Sequence, residues 1–232
     1  VVHVLEKKII DILSGFAGKS SRDYSEIARQ QLQENLDIML KSGNWAGLDV
    51  SSQVVEGRDF IAVIQKVLSD NHDLVILAGR DNPDRKQLIM RLFRKCPCPV
   101  WVIRPSRGND FKYVLAALDL GNDQEENRSL NRKIIELADS MAIREGAEAH
   151  YVHALSLECS GMMRGPRFNM GDDEIRAMKQ EMRGVGEETL KKLFVETGVS
   201  ASPGAIHLKE GETSEVIQKV IADLDVDILV MG

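Results

Sequence analysis

Val226-Asp227-Ile228-Leu229-Val230-Met231-Gly232 closes the sequence, and Asp73-Leu74-Val75-Ile76-Leu77-Ala78-Gly79 stands near its middle. Each is a short, unbroken apolar run that follows a helical pattern and ends in glycine, which reads as a strand buried on both faces of a parallel sheet. A glycine at the carboxyl end of such a strand lets the backbone turn tightly and approach a ligand. After Gly79 the chain is polar, and no further glycine occurs until Gly108.

Working outward, the same alternation of elements appears twice. Val1 to Leu5 reads as a strand, and Tyr24 to Leu40 as a helix carrying Ile27, Leu32, Leu36, Ile38 and Leu40. Leu48 to Val55 reads as a strand, and Ile61, Ile64, Val67 and Leu68 as a helix face leading into Asp73. Gln87 to Lys95 is a helix and Val100 to Ile103 a strand, kept apart by Pro97 and Pro99. Pro105 to Asp110 collects turn-forming residues between two apolar strands and reads as a linker. Beyond it the spacing predicts a strand at Tyr113 to Leu120, a helix at Asn127 to Ile143 and a strand at His150 to Leu157. A loop from Cys159 to Gly171 follows, then a long helix at Asp172 to Glu196, interrupted or bent near Gly184 and Gly186. Ala205 to Leu208 is a strand, Thr213 the N-cap of a helix bearing Val216, Ile217, Val220, Ile221 and Leu224, and the closing strand completes the pattern. Alternation of this kind implies βαβ units and parallel sheets.

The two rounds are an internal repeat. Val63-Ile64-Gln65-Lys66-Val67 recurs as Val216-Ile217-Gln218-Lys219-Val220 at an offset of 153 residues (216 minus 63), shared by Gly79 and Gly232. Val2-His3-x-Leu5 recurs as Val152-His153-x-Leu155 at an offset of 150 (152 minus 2). The second round has a strand and helix before its His-containing strand that the first lacks. The first has a helix and strand after its glycine-ended strand that the second lacks.

Composition limits the function classes. The 232 residues are 43% hydrophobic with a formal net charge of −6. That balance argues against a broad electrostatic footprint for nucleic acid or for anionic membrane. No apolar run reaches the length of a membrane-spanning helix, so a cytoplasmic location is the default expectation, although the sequence opens on Val1 rather than Met. Three cysteines make no disulfide framework.

Several stretches together resemble the universal stress protein family: Tyr113 to Asp119, Val152-His153-Ala154-Leu155, Val226 to Gly232, and Arg94-Lys95-Cys96-Pro97-Cys98-Pro99-Val100-Trp101-Val102-Ile103. Two domains in tandem are similar to the E type within that family. The resemblance implies an α/β fold of two doubly wound parallel-sheet domains, adenine nucleotide alpha-hydrolase-like, with strand order 3-2-1-4-5. On that reading 1–105 is a first domain without its first strand and helix, 106–111 a linker, and 112–232 a second domain without its last helix and strand. It further implies a stress-response binding module that takes ATP or another adenine nucleotide in the second domain alone, with pairing of the two domains or homo-oligomerisation.

The nucleotide-binding residues the resemblance points to are Asp119 at the end of one strand, backbone near Ala154 at the end of the next, and Gly232 as first glycine of a phosphate loop. In doubly wound sheets, ligands sit outside the carboxyl ends of the strands where the order reverses. The rest of the Gly-x2-Gly-x9-Gly-Ser/Thr motif is not in the sequence. In the first half, Gly79-Arg80-Asp81-Asn82-Pro83-Asp84-Arg85 has no second glycine, a proline without an N–H, and two acids that repel phosphate. The alternatives are a scaffold that binds no nucleotide and, further off, a nucleotide-hydrolysing enzyme. No nucleophile–base pair, paired catalytic carboxylates or P-loop supports turnover.

Cys96-Pro97-Cys98 supplies at most half a zinc site and reads as a reduced pair. His3 and His153 read as hydrogen-bonded core histidines. Met162, Met163, Arg164, Arg167 and Phe168 are placed at the rim of the same crevice, as a lid or as a plain connection.

Overall fold

The computed structural model describes residues 1–6, 21–79, 82–104, 111–156 and 170–232. The linker at Pro105 to Asp110 and the loop carrying Met162 to Phe168 lie outside the described residues. The chain divides into two compact units, Val1–Ser106 and Arg107–Gly232.

In the first unit, β1 (Val2–Leu5) runs parallel to β2 (Gln53–Glu56), and β3 (Val75–Ala78) runs parallel to β4 (Val100–Ile103). These are separate two-stranded sheets. The helices are α1 (Ser21–Ser42), α2 (Asp59–Asp70) and α3 (Pro83–Lys95). From α1, Tyr24, Ala28, Leu32 and Leu36, spaced four apart, lie on one stripe against Leu5 and Val54. Ile27 and Ile38, read from the sequence as part of that face, are exposed instead. Gly43 ends α1 under Trp45: a Cβ there would collide with the indole nitrogen, which donates to the Leu40 carbonyl. The expected strand at Leu48 to Val55 is shorter, and Leu48 is exposed.

The second unit holds one four-stranded parallel sheet in the order β7-β6-β5-β8. Its strands are β5 (Tyr113–Ala117), β6 (Glu148–Leu155), β7 (Ile206–Glu210) and β8 (Ile228–Val230). Its helices are α4 (Glu125–Glu145), α5 (Asp172–Thr197) and α6 (Thr213–Leu224). Alternation sorts the side chains: Val114, Ala116 and Tyr151 pack with Ile134 and Ile135 of α4 and Leu190 and Leu193 of α5. Leu115 and Val152 face the other way, against Val216 and Val220 of α6. Burial on both faces is why the strands of this unit read as continuous apolar runs. At about 25 cal/mol per Å² of apolar surface, these two layers are the main source of its stability. Helix α5 runs unbroken through Gly184 and Gly186, the latter buried on its inner face. Thr213 is not the N-cap of α6: the Glu212 carboxylate accepts from the Glu215 N–H and takes that role.

The repeat is visible in the backbone. The Gly57 N–H bonds to the Leu5 carbonyl, and the Gly211 N–H bonds to the Leu155 carbonyl. Both glycines have positive φ, 149° and 142°, and the helices after them end in left-handed caps at Asn71 and Asp225. These landmarks are offset by 154 residues (211 minus 57; 225 minus 71), not 153. The identical pentapeptide therefore sits one residue further into α2 than into α6.

Candidate functional site

Strand β5 ends where its register with β6 and β8 brings the expected residues together. The pairs Ala117↔Val152 and Ala116↔Val230, carried on by two residues, set Asp119 level with Ala154 and Leu118 level with Gly232. All three residues expected from the sequence thus lie at the carboxyl edge of one sheet.

Two groups that the sequence reading missed hold this edge. Asn131, 2% exposed, accepts from the Asp119 N–H through Oδ1 at 3.2 Å and donates through Nδ2 to the Asp119 carbonyl at 2.7 Å. Asn127 donates to that same carbonyl at 2.8 Å and to the Asn122 carbonyl at 2.6 Å. A buried amide satisfied on both ends fixes the backbone leaving β5. The available signal was an asparagine within the apolar stripe that includes Ile134 and Ile135. His153 closes the third side: its Nδ1 lies 3.0 Å from the Leu118 carbonyl and 3.3 Å from the Leu120 N–H, the tautomer deciding which bond forms.

The Asp119 carboxylate accepts from the Gly121 N–H at 3.1 Å, and an ionised carboxylate has about four lone-pair sites. It can therefore take further donors such as ribose hydroxyls or a ring amine. Ala154 turns its side chain into the apolar layer beneath α6, which leaves backbone as its contribution. Gly232 is covered by Leu130 of α4, whose side chain stands within 2.7 to 2.9 Å of where a Cβ would project. Leu130 also lines a shallow, open concavity of about 490 Å³ with Glu125, Glu126, Ser129 and Lys133. Two carboxylates and one ammonium make that rim a poor place for a free phosphate.

In the first unit, Gly79 donates to the Ile103 carbonyl, and a Cβ on it would stand 3.0 Å from Val102. The N-terminus of α3 is closed by Asn82, whose Oδ1 accepts from the Asp84 and Arg85 N–H groups. Pro83 follows at the first helical position, and Arg85 Nε returns to the Ala78 carbonyl. The amides that would face an anion are already engaged. His3, expected to be a bonded core residue, is exposed. The cause is local: among the described residues no strand pairs with the far edge of β1, whereas β6 has β5 beside it.

At the amino ends of the second sheet lies a cluster that the sequence reading did not single out. His150 Nδ1 and His207 Nε2 are 3.0 Å apart with the rings stacked, and Tyr113 meets His150 edge-on. Burial, the neighbouring His150 and then Lys209 push His207 below the ordinary histidine range. His150 is 5% exposed, and its Nε2 is buried without a hydrogen-bond partner, 3.9 Å from the Glu148 carboxylate. No group of three or more His, Cys, Asp or Glu that could hold a metal occurs among the described residues. No helix among them is long and apolar enough to cross a membrane.

No family model matches the chain. It is 27% identical over 196 residues to universal stress protein E of Photorhabdus laumondii and 28% identical over 198 residues to that of Escherichia coli K12. Each alignment covers 81% of this chain, which spans about 60% of the length of these curated relatives. A universal stress protein E homolog of Haemophilus influenzae is 24% identical over 226 residues, covering 92% of this chain and 70% of its own. Among solved structures, one from Pseudomonas aeruginosa UCBPP-PA14 titled as a universal stress protein matches with a TM-score of 0.61 at 22% identity, over 100% of this chain and 81% of its own. A universal stress protein from Archaeoglobus fulgidus matches with a TM-score of 0.58 at 16% identity, over 94% and 70%. At those identities the solved structures speak for the α/β fold with parallel sheets. Through the curated relatives, the chain is a homologue of the universal stress proteins, and of their E type, over most of its length.

Proposed function

We propose that the chain is a stress-response binding module whose second unit takes an adenine nucleotide at the carboxyl edge of β5, β6 and β8. The observation that carries this reading is Asp119 at the end of the central strand, level with Ala154: Asn131 and Asn127 hold its backbone N–H and carbonyl, and its carboxylate, engaged by the Gly121 N–H, has lone pairs to spare. Asp119 would accept from the nucleoside, Ala154 would offer backbone, and Gly232 would open the turn toward the phosphates. The same proposal treats each unit as part of a five-stranded sheet in the order 3-2-1-4-5, with the division near residue 106 separating two universal stress domains. Pairing of these domains and self-association belong to it, as does a cytoplasmic setting. Titrating the full chain with ATP by calorimetry tests it: one nucleotide binds per chain, and Asp119→Ala weakens binding by roughly tenfold to a hundredfold, the loss of a hydrogen bond to a charged group. Absence of heat, or equal heat from the variant, rejects the site.

A second reading, an interaction scaffold without nucleotide, is favoured by Leu130 standing over Gly232 and by Glu125 and Glu126 on the rim. Leu130→Ala separates the two: it improves ATP binding if the crevice is a nucleotide site and leaves it undetectable if it is not.

A further inference from the structure

We propose that Cys96 and Cys98, at the carboxyl end of α3, form a two-thiolate site for a soft monovalent cation of the Cu(I) class. The site lies in the first unit and is independent of the nucleotide reading. The two Sγ atoms are 3.7 Å apart, and both side chains are half-buried. Their backbone is well determined: the Cys96 N–H bonds to the Leu92 carbonyl, closing the helix, and Pro97 and Pro99 restrict φ at alternate positions. Two sulfurs bound to one cation at about 2.3 Å stand about 3.8 Å apart at a tetrahedral angle and about 4.6 Å apart in a linear arrangement. The resting separation of 3.7 Å is close to the tetrahedral-angle spacing, and a linear arrangement requires the sulfurs to open by about 0.9 Å. A disulfide would need the sulfurs to close to about 2.05 Å.

Chemistry narrows the ligand. Each cysteine meets the cation as a thiol that must give up its proton to become a ligand. A soft cation displaces such protons: M⁺ + 2 RSH gives M(SR)₂⁻ + 2 H⁺, with no change of oxidation state. The described residues assemble no third ligand from His, Cys, Asp or Glu, so the pair suits a cation satisfied by two thiolates better than four-coordinate zinc. The complex carries one negative charge. Arg94 and Lys95, in the last turn of α3, bring positive charge to the same end of the helix.

The test uses the full chain, reduced and kept anaerobic, competing for Cu(I) against a chromophoric chelator. One Cu(I) per chain is expected, with affinity rising by up to about a hundredfold per pH unit while both protons must leave. Cys96→Ser and Cys98→Ser each weaken binding by roughly two orders of magnitude or more, whereas Cys159→Ser, at the third cysteine, leaves it unchanged. Metal-free thermal melts verify that the variants fold. X-ray absorption on the wild-type chain, which needs no variant, shows two sulfur neighbours. Nitrogen or oxygen donors in that spectrum, unchanged affinity in Cys98→Ser, or loss of binding in Cys159→Ser overturns the assignment.

Discussion

His3 and His153 occupy matching strands, each followed two residues later by a leucine whose carbonyl takes a glycine N–H, yet among the described residues only the His153 side chain is hydrogen-bonded to a neighbour. In the second unit β5 lies beside β6, and the backbone leaving it meets His153 at Leu118 and Leu120. In the first, among the described residues, nothing pairs with the inner edges of β1 and β3. The contrast is milder in the glycine-ended strands: Ile228 and Val230 are buried where their counterparts Val75 and Leu77 are half-buried, and Ile76 and Leu229 are both exposed. β8, like β3, pairs with a single strand, so burial there follows from the helices that cover the sheet and not from the strand's own residues. The cores differ too: in the first unit Leu5, Leu36 and Val54 form a small cluster, with Ala62, Val67, Leu88 and Leu92 buried outside it, whereas the second has two extensive layers.

That contrast can be broken by experiment. The largest effect is expected from Leu115→Ala, which empties a fully buried position between β5 and α6 and costs about 2–5 kcal/mol in denaturant unfolding. Leu36→Ala in the smaller cluster falls at or below the low end of that range, and equal costs would erase the distinction. Next comes Asn131→Ala, which leaves the Asp119 N–H and carbonyl short of partners and costs about 1–3 kcal/mol. Hydrogen exchange at Asp119 reports whether that edge loosens first. Gly211→Ala then forces an L-residue to φ 142° with its Cβ 3.1 Å from Val216, a penalty of about 1–3 kcal/mol. Gly57→Ala has similar φ but a nearest atom at 3.6 Å, so it costs less.

The histidine pair sets a smaller, pH-dependent effect. A histidine held below its ordinary value binds fewer protons folded than unfolded. Its contribution is therefore complete above the unfolded value near 6.5 and is lost as pH falls through that value toward the lower folded one. Melts of the second unit should drop over that window, and His207→Gln should flatten the profile; an unchanged slope would remove the pair from the account. The smallest effect belongs to Glu196→Gln. Arg132 and Arg128 hold the Glu196 carboxyl below the usual range, but the cluster is open to solvent, so the loss is slight and fades with added salt.

The apolar runs of the second unit were readable because a sheet covered on both faces leaves little room for polar side chains, and the repeat because five residues recur in identical order. The expectation that Asp119, Ala154 and Gly232 share one edge rests on the strand order that the resemblance implies, which no local pattern states. What escaped depended on pairing that no local pattern encodes. Ile27 and Ile38 looked like a core face until the stripe through Tyr24, Ala28, Leu32 and Leu36 proved to be the buried one. Thr213 has the right chemistry for a cap, but Glu212 one residue earlier accepts from the Glu215 N–H and takes that place. His150 and His207 lie 57 residues apart and meet only through the β6–β7 register.

One small arrangement has an optical consequence. Trp45, seated over Gly43 and bonded to Leu40, and Trp101 on β4 are the two tryptophans of the chain, and both belong to the first unit. Emission excited at the red edge, where tyrosine does not absorb, therefore comes from that unit alone, while far-ultraviolet dichroism sees both. The sequence already carries a label that distinguishes its two halves, and recording the two signals in one denaturation experiment resolves them without attaching a dye.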